Sequence, residues 1–349
     1  MKMKNQEPLD ATNEDKREEE IKVIAIKLPF DLQERLLTFP FLHLIRDLYP
    51  NAEIHFITPK WNIEVLNLLP FKAFYHEFEE DEIRTIFDVH RYTANSKIFN
   101  VDLFISLTNS FPDACIGLGL RAKKRVGFSD GWKAAVLNIK TKRPIGYHVS
   151  EDFMALYKEL IGKNIDTKLK TISRELSPVI EEWDINPYIA INLSPLRDAI
   201  VGEELFELLN YFENQKIVLF ASEEPEKVRL LMEPSLANLP KKNQYVYFFQ
   251  KDLIDLSKMI AFARGLISYN GPIVSLSAYI GTRTIGLFDS EDPQKSGPLC
   301  FFADFLIMST NDPTLIQSTH SNAILKERKK LKMDEVFARA HDFFRLKVK

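Results

Sequence analysis

Residues Asp252–Phe288, DLIDLSKMIAFARGLISYNGPIVSLSAYIGTRTIGLF, constrain the fold more tightly than any other stretch. Leu253, Leu256, Met259, Ile260 and Ala263 recur at helical spacing, so Asp252–Arg264 is expected to be an amphipathic helix with an acidic start. Gly265 ends it, and Leu266–Tyr269 reads as a short buried strand. Asn270-Gly271-Pro272 is a turn that opens a second helix, with Asn270 in the cap position and Pro272 in the first turn. Gly281 closes that helix, and Thr284–Phe288 is a further strand. Two buried strands joined through a helix belong side by side in a parallel sheet. A strand that turns tightly into a helix N-terminus also offers free amides and a favourable dipole to an anion such as a phosphate. An ordinary strand–turn–helix unit without a ligand has the same pattern.

The same alternation runs through the chain. Ile21–Leu28 reads as the first strand, Pro29–Glu34 as a loop and Arg35–Leu48 as a helix. Strands follow at Ala52–Thr58, Ala73–Phe78, Val101–Leu107 and Arg125–Phe128, separated by helical segments. Glu151–Ile161 is one more amphipathic helix, and Lys163–Glu182 is polar and irregular. Alternation restarts with strands at Tyr188–Leu193, Lys216–Ala221 and Tyr245–Phe249. The reading is therefore α/β, with two doubly wound parallel sheets. The expected division is a disordered tail over 1–20, a first domain over 21–165, a linker over 166–184, a second domain over 185–332 and a last helix over 333–349 that can cross back to the first domain. Ligands of such sheets lie beyond the carboxyl ends of the strands, here in the cleft between the domains.

Composition narrows the function. The 349 residues carry a net charge of −3, with 45% hydrophobic and 27% charged residues, which suits a soluble globular protein and not a general nucleic-acid binder. Cys115 and Cys300 make neither a disulfide framework nor a metal pair, and the seven histidines have no ligand spacing. No signal-peptide core or membrane-spanning run is visible, so a cytoplasmic location is expected.

Four segments are similar to glycosyltransferase family nine, the ADP-heptose:lipopolysaccharide heptosyltransferases: ERLLTFPFLHLIRDLYPNAEIHFIT, VDLFISLTNSFPDACIGLGLRAKKRVGF, HVSEDFMALYKELIG and the 252–288 stretch. The resemblance implies the GT-B architecture, two Rossmann-like domains facing across a cleft. It implies inverting, metal-independent transfer of a heptose or related sugar from a nucleotide-diphosphate sugar, with no cofactor. The acceptor would be a lipopolysaccharide-core or other anionic glycan or glycolipid, reached from the inner face of the cytoplasmic membrane. Where the family carries Gly-Asp in its first loop, this chain has Gln33-Glu34. In the donor signature Asn270 stands for Asp, Gly271 for a small hydroxyl residue and Ser275 for His.

By that resemblance Glu34 is the candidate base that deprotonates the acceptor hydroxyl, although a solvated glutamate also suits a helix start. Arg197 is a candidate phosphate clamp, and Asn270, Gly271, Pro272 and Ser275 are expected to line the donor pocket. Residues 121–143 hold eight basic residues against the single acid Asp130. Lys123, Lys124 and Arg125 within them are the candidate acceptor-binding residues; a merely solvated basic face reads the same way. Leu325–Lys332 is either a solvated connection or a contact to anionic lipid. A homologue that keeps the fold for binding a nucleotide, glycan or protein, with transfer lost, is the alternative.

Overall fold

Two sets of short apolar strands seed two sheets in the computed structural model, which describes residues 20–79, 82–144, 148–162, 188–194, 203–212, 215–221, 226–228, 230, 245–249, 252–288, 293–297, 305–309, 312–316 and 333–344. Arg197, Cys300, the expected linker at 166–184 and the basic run Leu325–Lys332 lie outside the described residues, as does nearly all of the expected tail.

The first lobe begins with β1 (Val23–Lys27), whose residues beyond Val23 are all buried. The following segment differs from the expected loop and single helix. Asp31 caps α1 (Leu32–Leu37), and a second helix, α2 (Phe39–Leu48), restarts after Thr38. Pro40 explains the break: it has no amide to donate and its ring would clash with the carbonyl four residues earlier. Glu34 therefore stands in the first turn of α1 and not in a loop. The lobe continues with β2 (Glu53–Pro59), β3 (Phe74–Phe78), α3 (Ile86–Asn95), β4 (Leu103–Ser106), α4 (Phe111–Gly119), β5 (Lys124–Phe128), β6 (Ile139–Thr141) and α5 (Val149–Ile161). The strands form one parallel sheet in the order β3-β2-β1-β4-β5-β6.

The second lobe repeats the plan with β7 (Tyr188–Asn192), α6 (Glu203–Tyr211), β8 (Lys216–Ala221), β9 (Tyr245–Phe249), α7 (Leu253–Phe262), β10 (Gly265–Tyr269), α8 (Pro272–Ile280), β11 (Thr284–Phe288), α9 (Pro293–Ser296), β12 (Phe305–Ser309), β13 (Asp312–Ile316) and α10 (Met333–Phe343). Its sheet order is β13-β12-β11-β10-β7-β8-β9, parallel except for the antiparallel edge pair β12–β13. Apart from that edge strand, the order is the one found in the first lobe. β6, β12 and β13 were not expected from the sequence.

Over its described residues, 333–344, the last helix packs on the second lobe. Val336, Ala340 and Phe344 fill the second lobe's own core with Ile189, Ile267 and Ile285. A Cβ on Gly265 would fall 2.2 Å from the Phe344 ring, so only glycine lets β10 approach this helix.

The lobes meet through apolar packing. Leu36, Phe39 and Leu42 share one continuous core with Met259, Ile260, Leu276 and Tyr279. Phe39 and Tyr279 pack edge to face at 4.7 Å, and His43 Nε2 lies 2.8 Å from the Tyr279 hydroxyl. This contact brings α1 against α8 and sets the distance between the two candidate halves of the site.

Candidate functional site

Each lobe turns from strand to helix where its strand order reverses, which is the usual ligand position in open α/β sheets. In the first lobe the turn follows β1. Asp31 Oδ1 accepts the Glu34 amide at 2.9 Å, so this helix end is satisfied by its own side chain. The Glu34 residue is exposed, although the protein around it limits the hydration of its carboxylate. Crowding by the protein, then the Asp31 carboxylate, raises its pKa above the ordinary glutamate range, while Arg143 pulls it down.

In the second lobe the turn follows β10. Gly271 is the N-cap of α8, at φ 156° and ψ −171°, a combination essentially confined to glycine. It contributes no side-chain cap, and Pro272 has no amide to satisfy. Val274 and Ser275 donate to the Gly271 carbonyl, and the Ile273 amide has no acceptor among the described residues. Asn270 is thus not the cap. Its backbone amide donates to Leu287 O at 2.8 Å, and its side-chain oxygen accepts from Gln33 Nε2 at 3.4 Å across the lobe boundary. Ser275 is buried, with a hydroxyl that has no hydrogen-bond partner among the described residues.

Two further contacts close the same region. Gln33 Nε2 also donates to Ser296 O at 3.0 Å, and His148 Nε2 lies 2.6 Å from Gly297 O. His148 Nδ1 accepts the Ser150 amide at 3.2 Å, which assigns the ring hydrogen to Nε2, the donor to Gly297. Burial lowers the His148 pKa, against the pull of the Gly297 carbonyl, and so favours the neutral ring. Two side chains of the first lobe therefore hold consecutive carbonyls of the second.

The basic stretch divides. Lys123 pairs with Asp102 at 3.1 Å, and Asp102 accepts the Lys22 and Val23 amides, at the amino ends of β1, β4 and β5. The Lys124 amide donates to Asp102 O on that same rim. Arg125 is engaged by its own lobe, donating to Val136 O and Ala122 O at 2.7 Å each. None of these three stands with Glu34, which follows the carboxyl end of β1. Arg143 does: Nη1 contacts Asp152 Oδ2 at 2.5 Å, the guanidinium lies 4.2 Å from the Phe128 ring centre, and its charge is felt at Glu34. Buried Lys133 adds a cation 3.4 Å from Asp130. Asp152, Arg143 and His148 lie more than a hundred residues from Glu34 in sequence, so spacing gave no sign of them. The described residues contain no group of three or more His, Cys, Asp or Glu able to hold a metal ion, and no helix long and apolar enough to cross a membrane.

Solved structures share this fold. ADP-heptose LPS heptosyltransferase II of E. coli matches with a TM-score of 0.68 at 16% identity, over 93% of this chain and 98% of that one. A glycosyltransferase family 9 protein of Veillonella parvula matches with a TM-score of 0.69 at 16% identity, over 93% and 98% of the two chains. E. coli heptosyltransferase WaaC with ADP-2-deoxy-2-fluoro heptose matches with 0.65 at 14% identity, over 82% and 92%. At such identities the likeness establishes the GT-B fold alone. No curated protein matches the sequence. The model of glycosyltransferase family 9 (heptosyltransferase), however, matches residues 95–314, well over half of the chain and including the β10–α8 turn. Sheet order, turn and family model agree, and the chain belongs to glycosyltransferase family 9, the heptosyltransferase family.

Proposed function

We propose that the protein is an inverting, metal-independent transferase that moves a heptose, or a related sugar, from ADP-heptose to a lipopolysaccharide-core or similar glycan. Glu34 removes the acceptor hydroxyl proton, the oxygen attacks the anomeric carbon, and the bond to the diphosphate breaks on the opposite face. The leaving diphosphate sits at the uncapped start of α8, where the dipole and the Ile273 amide offset its charge. Arg197 is assigned to the same phosphates, and Asn270, Gly271, Pro272 and Ser275 to the pocket wall. The reaction takes place in the cytoplasm, at the membrane's inner face.

The observation that carries this reading is the opposition of two switch-point turns. One presents a carboxylate whose pKa is raised, as a base working near neutrality needs, and the other presents a helix start without a side-chain cap. The ADP-heptose analogue in the similar E. coli protein supports the donor assignment. Gln33 supports a second reading, a homologue that binds without transferring, because its amide group spans from Asn270 to Ser296 in front of α8.

The test compares wild type with Glu34→Gln in transfer from ADP-heptose to a core oligosaccharide. The rate is expected to fall by roughly 10²–10⁴-fold with ADP affinity unchanged. Negligible transfer by both proteins, with ADP still bound, selects the second reading.

A further inference from the structure

Phe30 and Trp61 have no part in the chemistry above, yet the lobe holds them with care. Phe30 follows β1 and Trp61 follows the neighbouring β2, so both emerge at the carboxyl edge of the sheet. Their rings lie 5.5 Å apart at 56°, and they are 39% and 40% exposed, whereas Phe39, Phe41 and Phe56 of the same lobe are at most 1% exposed. Each ring is therefore part covered by the protein and part open to solvent.

Arg35 is what seats them. It is fully buried, and each guanidinium nitrogen donates to a carbonyl of these two loops: Nε to Pro29 O, Nη2 to Phe30 O, and Nη1 to Trp61 O and Asn62 O, at 3.0–3.3 Å. The guanidinium also lies 5.2 Å from the Trp61 ring centre. Taking an arginine out of water costs several kcal/mol unless its partners compensate. Burial pushes its pKa down to about 10, against the pull of Asp31 and Glu64. Asn62, at φ 53°, takes the left-handed turn that asparagine tolerates and brings its carbonyl to the arginine. None of these bonds extends a helix or a sheet. Together they fix one aromatic loop against the other.

We infer that Phe30 and Trp61 form a stacking platform for a pyranose ring of the acceptor, with Arg35 as its positioning residue. This rests on the proposed transfer reaction. A pyranose has one face of C–H bonds and a rim of hydroxyls; the face packs on a half-open aromatic ring while the rim stays available to polar groups. Phe30 lies four residues before Glu34 on the connection that carries the base, so a ring stacked there brings a hydroxyl towards that carboxylate. The donor's charged part belongs to the other lobe, which leaves this platform to the acceptor.

Saturation-transfer NMR with a deacylated lipopolysaccharide-core oligosaccharide, and no donor present, tests the assignment. Wild type is expected to transfer saturation to ring C–H protons. The Phe30→Ala/Trp61→Ala double variant should bind the oligosaccharide about tenfold more weakly. ADP affinity should not change. Trp61→Phe should restore most of the binding lost in Trp61→Ala, and these single variants decide the matter if the double variant does not fold. Arg35→Lys should weaken oligosaccharide binding with ADP affinity kept. Undiminished oligosaccharide binding by the aromatic variants, or aromatic-dependent binding of acidic phospholipid vesicles in its place, overturns the inference. Loss of glycan binding in these variants while Glu34→Gln still transfers would sink the base assignment and leave the platform standing.

Discussion

The β1–α1 and β10–α8 junctions are the same construction with opposite capping. Both leave a buried parallel strand at a reversal of strand order and enter a helix within a few residues. In the first, the Asp31 carboxylate takes the amide of Glu34 and neutralises the helix end, and the free acid next to it points outward. In the second, glycine supplies no capping side chain, proline removes one amide, and the positive end of the helix is left for something else. Side chains within a few residues of each turn decide which one can serve an anion and which can serve as a base.

Exchanging the caps should break the contrast. Gly271→Asp would place a carboxylate where the donor's diphosphate is assigned and force a non-glycine residue into the Gly271 conformation. ADP affinity measured by calorimetry should drop by about 100-fold or more. No clash contributes, because a Cβ at Gly271 meets nothing within 4 Å. Unchanged affinity would mean that the diphosphate sits elsewhere. A smaller effect is expected at the other turn. Asp31→Ala should cost about 1 kcal/mol in urea denaturation, as loss of a helix cap usually does, and leave ADP binding unaffected.

The smallest effect concerns pH. Glu34 is raised first by burial and then by Asp31, so transfer should increase with pH through a midpoint above the ordinary glutamate range. Asp31→Asn should move that midpoint down. Stability carries the opposite sign. Native Glu34 keeps its proton at pH values where the unfolded chain has lost it, so its charge costs stability above the folded pKa and nothing below the unfolded one. Glu34→Gln should therefore melt higher than wild type near neutrality, and the difference should vanish in strong acid. A variant with no such pH-dependent gap would show that Glu34 is not held at a raised pKa.

Much of the fold was legible because buried strands and amphipathic helices write their periods into the chain. The 252–288 stretch folds as expected: α7, β10, α8 and β11 fall where apolar spacing and Gly265, Pro272 and Gly281 put them. Within that stretch only the cap was misplaced, from Gly271 to Asn270. Glu34 was proposed because its place resembles that of the family's first-loop carboxylate; the structure sets it inside a helix that Asp31 caps and that breaks ahead of Pro40. β6 escaped because Ile139–Thr141 is a three-residue edge strand with little burial to impose a pattern. The Lys123–Arg125 cluster lies away from Glu34, at the amino ends of the strands, because charge density along a chain does not say which end of a strand its residues flank.

By itself the sequence determined the two sheets, their parallel connections and the turn that opens α8, since each depends on neighbours within about one helix–strand unit. Only the tertiary structure decided which residues share the site. Gln33 with Asn270, His148 with Gly297, Arg143 with Glu34, and Phe30 with Trp61 through Arg35 are each set by how strands order in a sheet and how two lobes pack. Those placements follow from long-range burial of apolar surface, and no local spacing records them.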